Sequence, residues 1–281
     1  MLVWGSSATF AISLIVRPSA RLNYLKSHLV KAQNLAVIKL LERDYLSKSL
    51  PVTCVRLGSS YGGWYIPNQV LSRSEQKRLL ISAGLGFDIT FDLEMLKIGY
   101  TIVALDPYPP AYQYALTEFA KTNSPVHVFK VGLSAQVGTQ LFFAPINPDH
   151  DSWSSANIQS TSHLYSREFE VTTLDGVFEK SGLVKKDFEI IVLKMDIEGA
   201  EEQVLRFIHH QNLAPNVIAA ELDFLSLIPF LSIRRRIAKV KNSFRIFKEL
   251  EAQGYVLVKT DNFNFTWIST DTLAFSSHDE G

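Results

Sequence analysis

Short apolar runs alternate with amphipathic segments through the middle of the chain. The runs "LLISAGLG" (79–86), "YTIVALDP" (100–107) and "PVHVFKVGLS" (125–134) have the length and composition of buried strands. Between them, "FDITFDLEMLKIG" (87–99) and "YQYALTEFAKTN" (112–123) have helical periodicity. A β-α-β-α-β order of this kind predicts a mostly parallel sheet with helices on both faces.

The same alternation continues towards the C-terminus and changes at the end. The runs "FEIIVLKMD" (188–196) and "NVIAAELD" (216–223) predict a fourth and a fifth strand. The last apolar stretch, "YVLVKTDNFNFTWIS" (255–269), predicts a hairpin that turns at Asp261–Asn264. Together these patterns predict an α/β fold, a three-layer, doubly wound, mostly parallel seven-stranded sheet with an antiparallel C-terminal hairpin.

The N-terminal part of the chain differs from the rest. Residues 1–16 carry no charge, and basic residues follow them. A secretory signal has its positive charges before the apolar stretch, and a membrane span needs about 20 residues. Residues 1–16 could therefore be a leader, a short membrane anchor or a packed helix. The pattern of residues 22–48 predicts one amphipathic helix. We predict an N-terminal leader and helix at 1–50 and one larger domain at 51–281.

Charge and cysteine content narrow the range of partners. Lys+Arg and Asp+Glu each total 28, so the formal net charge is zero, which argues against a nucleic-acid-binding protein. The chain has one cysteine and no Cys/His cluster with zinc spacing, so neither a disulfide nor a metal site is predicted. A basic cluster within 225–245 could contact an anionic acceptor or, like residues 1–16, a membrane surface. We expect a cytoplasmic protein, with membrane association as an alternative.

A glycine-rich turn follows the first predicted strand of the parallel set. Ala83, Gly84 and Gly86 stand between this strand and a helix, where small residues and free N–H groups allow a ligand to approach closely. A dinucleotide fingerprint would need a third glycine where Ile89 stands, so a pyrophosphate clamp is not predicted. Asp106 ends the next strand, about 20 residues further on, where an acid can accept the hydroxyls of a ribose.

The third predicted strand leads into a long polar stretch. Leu133 and Ser134 end the strand, at the edge that would contact an adenine ring in this architecture. The stretch 144–168 is long for a connection inside a compact domain, which favours a functional loop. Its His150 and His163 could reach a second ligand, although a solvated loop histidine is the more common case.

The stretch "VLKMDIEGAEEQVL" (192–205) brings charged residues to the end of the fourth predicted strand. Asp196 and Glu198 directly follow the apolar run. Because ligand clefts of open α/β sheets lie outside the carboxyl ends of the strands, both acids should face the cleft of the glycine-rich turn. Glu201 and Glu202 begin the next helix, where negative charge is favoured, so we expect them to serve the helix start, as partners of the helix dipole or as surface residues.

The motif "LKMDIEGAE" (193–201) closely resembles the fourth-strand motif of the FkbM family of S-adenosylmethionine-dependent methyltransferases. Supporting matches follow in the family's order and span about residues 55–225, namely "VRLGSSYGGWYIP", "ISAGLGFDITFDLEM", "IVALDP", "TTLDGVFEKSG" and "VIAAELD". The resemblance implies a class I methyltransferase fold, S-adenosyl-L-methionine as cofactor, and O-methylation of a hydroxyl of a sugar, glycan or glycolipid. A terminal antiparallel hairpin is also typical of this class rather than of dinucleotide dehydrogenases.

Three carboxylates are candidates for the chemistry that the resemblance implies. Methyl transfer to an alcohol gains from a base near the oxygen. Asp196 is the first candidate, followed by Glu198 and by Glu221 at the end of the fifth predicted strand. A divalent cation held by Asp196 and a neighbouring acid is an alternative. Two other functions stay open, a methyltransferase-fold binding module without activity and an NAD(P)-dependent oxidoreductase.

Overall fold

The computed structural model describes residues 18–46, 52–71, 76–144, 153–154, 166–208, 214–222, 225 and 233–276. The helices are α1 Pro18–Tyr45, α2 Asn68–Leu71, α3 Thr90–Lys97, α4 Pro109–Phe119, α5 Leu174–Ser181, α6 Glu201–Phe207, α7 Ile233–Ala252 and α8 Thr270–Ser276. The strands are β1 Cys54–Leu57, β2 Trp64–Pro67, β3 Arg78–Ala83, β4 Tyr100–Leu105, β5 Val126–Phe129, β6 Gly132–Leu133, β7 Gly138–Phe143, β8 Ser166–Thr172, β9 Ile190–Met195, β10 Val217–Glu221, β11 Tyr255–Asp261 and β12 Asn264–Ser269.

A seven-stranded sheet forms the centre of the fold, in the order β11-β12-β10-β9-β3-β4-β5. The strands from β10 to β5 pair in parallel, whereas β12 is antiparallel to both β10 and β11. This confirms the predicted mostly parallel sheet and its antiparallel C-terminal hairpin. Every residue of β3 and β9 is buried, which explains why these strands read as continuous apolar runs instead of alternating ones.

Helices cover both faces of the central sheet, so the fold has the three predicted layers. One face packs against α1, α5, α6 and α7, and its buried side chains include Leu41, Val177, Val204, Phe247 and Leu250. The other face packs against α3 and α4 and also receives β2 and α2, with Trp64, Val70, Phe91, Met95 and Phe119 among its buried side chains. The two apolar layers together hold the strand ends that form the site in fixed positions.

Helix α1 begins and ends earlier than the predicted helix over 22–48. Its second half belongs to the main core, because Val37 and Leu41 are buried there. The Tyr45 hydroxyl also donates a hydrogen bond to the Phe244 carbonyl of α7, at 3.1 Å. The domain division at residue 50 stays a prediction, although this helix end packs as part of the larger domain. Residues 1–16 lie outside the described part of the chain.

Two segments differ from their predicted form. The run 125–134 is not one strand but two, because the chain leaves the central sheet after β5. The second piece, β6, pairs with β8 in a separate three-stranded sheet of order β6-β8-β7. The second segment is the stretch with the basic cluster, which the sequence pattern predicts as an insertion before a separate helix at 245–254. The cluster lies instead on α7, which runs without interruption from Ile233 to Ala252. No helix in the described ranges is long and apolar enough to cross a membrane.

Candidate active site

A cavity of about 380 Å³ lies at the carboxyl edge of the central sheet. This volume falls within the range of small-molecule sites, about 300–1,000 Å³. One wall is the glycine-rich turn after β3 with the segment after β4. The opposite wall consists of the ends of β9 and β10 and the turn between β11 and β12. Residues of the β1–β2 hairpin complete the lining.

The glycine-rich turn packs directly against the end of β9. Gly84 and Gly86 both have positive φ, +76° and +53°. A Cβ on Gly84 would lie 1.6 Å from the backbone oxygen of Asp196, so no other residue fits without moving one of the two strand ends. The Asp196 N–H in turn donates to the Ala83 carbonyl, at 2.9 Å. Gly84 therefore allows the two walls of the cavity to meet.

Asp106 holds the glycine-rich turn from the end of β4. Its Oδ2 accepts hydrogen bonds from the N–H groups of Leu85, at 2.8 Å, and Gly86, at 3.2 Å, and its Oδ1 accepts one from Tyr108, at 2.8 Å. Burial raises the pKa of Asp106, and these three hydrogen bonds oppose that shift. A carboxylate has about four acceptor sites, so roughly one is left for a ligand hydroxyl.

The structure brings some of the predicted cofactor-binding residues to the cavity and not others. Gly84, Gly86, Asp106 and Leu133 line it. Ala83 and Ser134 do not line it. The Ser134 hydroxyl instead donates to Gln140 at 3.2 Å, behind β6.

Aromatic side chains form the wall beyond Asp106. Tyr108, Phe142 and Trp153 all line the cavity. The rings of Tyr108 and Trp153 stack at 5.8 Å with an angle of 29° between their planes. Of this wall the sequence indicated only Trp153, as a loop aromatic that could stack on a sugar or hold the loop in place. The rest was not predicted, because the members come from three separate segments that only the folded chain brings together.

The predicted catalytic acids Asp196, Glu198 and Glu221 all line the opposite end of the cavity. Burial raises the pKa of Glu221 to about 8, and the neighbouring charges of Asp196 and Glu198 and a hydrogen bond with Asp196 act in the same direction. Because a carboxyl group ionises less readily beside another acid, Glu221 keeps its proton near neutral pH next to Asp196, and the two side chains form an acid pair. Such a pair can accept a proton from a bound hydroxyl.

The loop between β9 and α6 has an unusual backbone. Glu198 has a φ of +53°, a conformation that non-glycine residues seldom adopt, and Gly199 follows with +100°. The Ser154 hydroxyl donates to the Glu198 carbonyl. Backbone conformations of this kind persist only where the surroundings enforce them, and they are common at functional sites.

Glu201 enforces that loop: it begins α6, as predicted, but it is buried and does not lie on the surface. Its side chain is fully buried. The carboxyl group accepts hydrogen bonds from the N–H groups of Ile197, at 2.9 Å, and Gly199, at 2.8 Å. Glu202, in contrast, is half-buried and forms an ion pair with Arg206 at 3.3 Å, as a helix-start acid can.

Glu201 should make the stability of the protein depend on pH. Burial raises the pKa of Glu201 from its ordinary 4.5 to about 8. The folded state then keeps a proton that the unfolded state releases, so the stabilisation is full below about pH 4.5 and is lost as pH rises through about 8. In the wild type the free energy of unfolding should therefore decrease between these pH values. We expect Glu201→Gln to make this decrease smaller by on the order of 2 kcal/mol.

Urea unfolding at pH 5 and pH 8 measures this effect, with Glu202→Gln as the control at the adjacent position. Glu221 has a raised pKa as well, so part of the wild-type slope should remain in Glu201→Gln. An unchanged slope in Glu201→Gln, or an equal change in Glu202→Gln, would contradict the role of Glu201.

Sequence reasoning also missed the contribution of the β11–β12 turn. Asp261, Asn262, Phe263 and Asn264 line the cavity beside the acids. They do so because β12 pairs with β10, which places Asn264 opposite Glu221. The sequence predicted the turn but not its neighbour in the sheet. The described residues include no group of three or more His, Cys, Asp or Glu side chains arranged to hold a metal ion, and His150 and His163 are outside them.

The order of the central sheet, the antiparallel β12 and the cavity over the glycine-rich turn define a class I methyltransferase. A family model for the methyltransferase FkbM domain matches residues 74–257, more than half of the chain, and the chain belongs to this family. The resemblance drawn from "LKMDIEGAE" is thereby confirmed. The alternative of an oxidoreductase is not supported.

The fold is also similar to that of a protein of known structure. A Staphylococcus aureus protein assigned as a caffeoyl-CoA O-methyltransferase has a solved structure similar to this chain, with a TM-score of 0.39 and 10% identity. The similarity covers 88% of this chain and 99% of that one. A similarity of this size says nothing about the acceptor. No curated protein matches the sequence.

Proposed function

We propose that this protein transfers a methyl group from S-adenosylmethionine to a hydroxyl group of a sugar, glycan or glycolipid. The observation that carries the proposal is the continuity of the cavity. A single space joins the glycine-rich turn and Asp106 to the paired acids Asp196 and Glu221. A donor held at the first end and an acceptor held at the second would meet within one cavity, which is what methyl transfer requires.

The residues at the first end fit S-adenosylmethionine better than a dinucleotide. The N–H groups of Leu85 and Gly86, which a pyrophosphate would need, already donate to the Asp106 carboxylate. The negative charge of Asp106 would also repel a pyrophosphate. S-adenosylmethionine has no phosphate, and Asp106 retains capacity for about one ribose hydroxyl. When bound, this cofactor supplies an electrophilic methyl group on a sulfonium.

The residues at the second end can prepare a hydroxyl for reaction. A carboxylate of either Asp196 or Glu221 can accept a hydrogen bond from the acceptor hydroxyl and then take the proton of that hydroxyl. A base with a pKa near the working pH is the most effective for such a transfer. The pKa of Glu221, about 8, lies in that range. Asp196 sits nearest to the glycine-rich turn, so it is suited to orient the acceptor oxygen.

The wall around the acids favours an acceptor with several hydroxyl groups and no negative charge. Glu198, Asp261, Asn262 and Asn264 add carboxylate and amide groups that can hydrogen-bond to hydroxyls. An anionic acceptor would meet like charges here. None of the described residues of α7 lines the cavity, so its basic cluster offers no compensation.

Calorimetric titration with S-adenosylmethionine tests the donor. We expect binding to the wild type and a loss of affinity of about tenfold or more in Asp106→Asn, because its amide nitrogen would face N–H groups instead of accepting from them. Asp187→Ala, an exposed acid outside the cavity, is the control and should bind as the wild type does. A wild type that binds NADH but not S-adenosylmethionine would rule the proposal out.

A further inference from the structure

Lys194 is a buried cation on the wall of the cavity. It lies in the middle strand β9 with only 5% of its surface exposed. Among the described residues, no carboxylate lies within 4.0 Å of its ammonium group, so it has no ion pair of its own there. A buried charge without a close counter-ion is costly, and its persistence at a cavity wall points to an anionic group in the ligand.

The contacts of Lys194 fix its ammonium group beside the glycine-rich turn. The Nζ donates to the Gly84 carbonyl and, at 3.5 Å, to the Ala83 carbonyl. It also lies 5.5 Å from the ring centre of Trp64, on the ring face, which is within reach of a cation–π interaction. An ammonium has three N–H donors, and the contacts found in the described structure use two of them.

The other cation that lines the cavity is already engaged. The Arg56 guanidinium donates to the carbonyl groups of Ser59, Ser60 and Gly63 in its own hairpin. Lys194, in contrast, is surrounded at longer range by the acids Asp92, Asp106 and Glu221, whose pKa values its charge lowers. Within the described lining, Lys194 is therefore the cation best placed to meet an anion from the ligand.

We propose that the Lys194 ammonium binds the α-carboxylate of the methionine part of the donor. The assignment rests on the proposed function, which supplies the donor. A carboxylate of the acceptor is the other source of such an anion, but Lys194 adjoins the turn that holds the donor, and the acceptor end already contains Asp196, Glu198 and Glu221. Lys194 thus selects donors that carry the intact amino-acid group over nucleosides that lack it.

Calorimetry with two donors that differ only in the carboxylate tests this assignment without any acceptor. The probes are S-adenosylmethionine and its decarboxylated form. We expect the wild type to prefer S-adenosylmethionine by about tenfold or more, and Lys194→Met to reduce that preference to about twofold. Lys259→Met is the matched control, because Lys259 also lies over an aromatic ring, 4.4 Å from the ring centre of Tyr65, but outside the cavity.

The outcomes separate the two proposals. Equal binding of both probes by the wild type overturns the role of Lys194 and leaves the proposed function standing. An equal loss for both probes in Lys194→Met also overturns it, because the lysine would then act only by supporting the Gly84 carbonyl. Failure of the wild type to bind either probe overturns the proposed function itself. If Lys194→Met does not fold, Lys194→Gln is the second variant, and a Lys194→Gln protein that keeps the full wild-type preference for S-adenosylmethionine also overturns the role of Lys194.

Discussion

Replacing Gly84 with alanine should destabilise the protein by about 3 kcal/mol or more, a large part of the roughly 5–15 kcal/mol that is typical of a folded domain. The new Cβ would lie 1.6 Å from the Asp196 carbonyl oxygen, and both groups are backbone-bound at the ends of neighbouring buried strands. Neither can move without separating β3 from β9. The positive φ of +76° adds a further conformational cost for any residue with a side chain.

Urea unfolding followed by circular dichroism measures this loss, and Gly182→Ala is its matched control. Gly182 has a similar φ of +69°, but a Cβ there meets nothing within 4 Å. Its replacement should cost only the conformational term, about 1 kcal/mol. Equal destabilisation by the two replacements would mean that the close approach of the two strands at Gly84 contributes nothing.

Replacing Asp196 with asparagine should lower kcat for methyl transfer by about 10²- to 10⁴-fold, the range expected when a general base or its partner is lost. The change is nearly isosteric, so the affinity for S-adenosylmethionine should stay within about threefold of the wild type. Initial rates with tritiated donor, and an acceptor found by screening neutral sugars and glycolipids, measure the effect. Asp261→Asn, on the turn of the same cavity, is the control and should change KM for the acceptor more than kcat.

The pH dependence of the same rate gives an independent check on the acid pair. The pKa of Glu221 is raised to about 8, so most molecules keep Glu221 protonated at pH 7, and Glu221 must lose this proton to act as a base. We expect kcat to rise about tenfold between pH 7 and pH 9 in the wild type and to lose this rise in Glu221→Gln. A profile that is flat in the wild type would exclude the pair as the base.

Local pattern was enough to predict the elements that form the site, but not the contacts between them. The apolar runs of β3 and β9 and the positions of Asp106 and Asp196 at strand ends follow from periodicity and from the geometry of parallel sheets. Glu201 was misread, because a glutamate at the first turn of a helix usually lies on the surface. Its burial depends on the loop that folds back over it, which has no signature in the sequence.

The contributions of Lys194 and of the β11–β12 turn to the site could not be predicted from the local sequence pattern, for a different reason. Lys194 lies on β9, a strand whose residues are all buried. From the sequence alone, a lysine at such a position suggests an ion pair with a nearby acid. In the structure, the end of β9 packs against the glycine-rich turn, and Lys194 donates hydrogen bonds to the carbonyl groups of Ala83 and Gly84 instead. The turn enters the cavity because β12 lies between β10 and β11, an arrangement that strand periodicity does not encode.

The position of β12 also has a consequence for synthesis on the ribosome. The strands of the proposed donor end, β3 to β5, precede β12 in the chain, and β12 must pair between β10 and β11, which both come before it. Until then the apolar edge of β10 is uncovered and open to pairing with other chains. A nascent chain that ends before residue 264 would therefore contain the strands of the proposed donor end but not β12, and the uncovered edge of β10 would make it prone to aggregation.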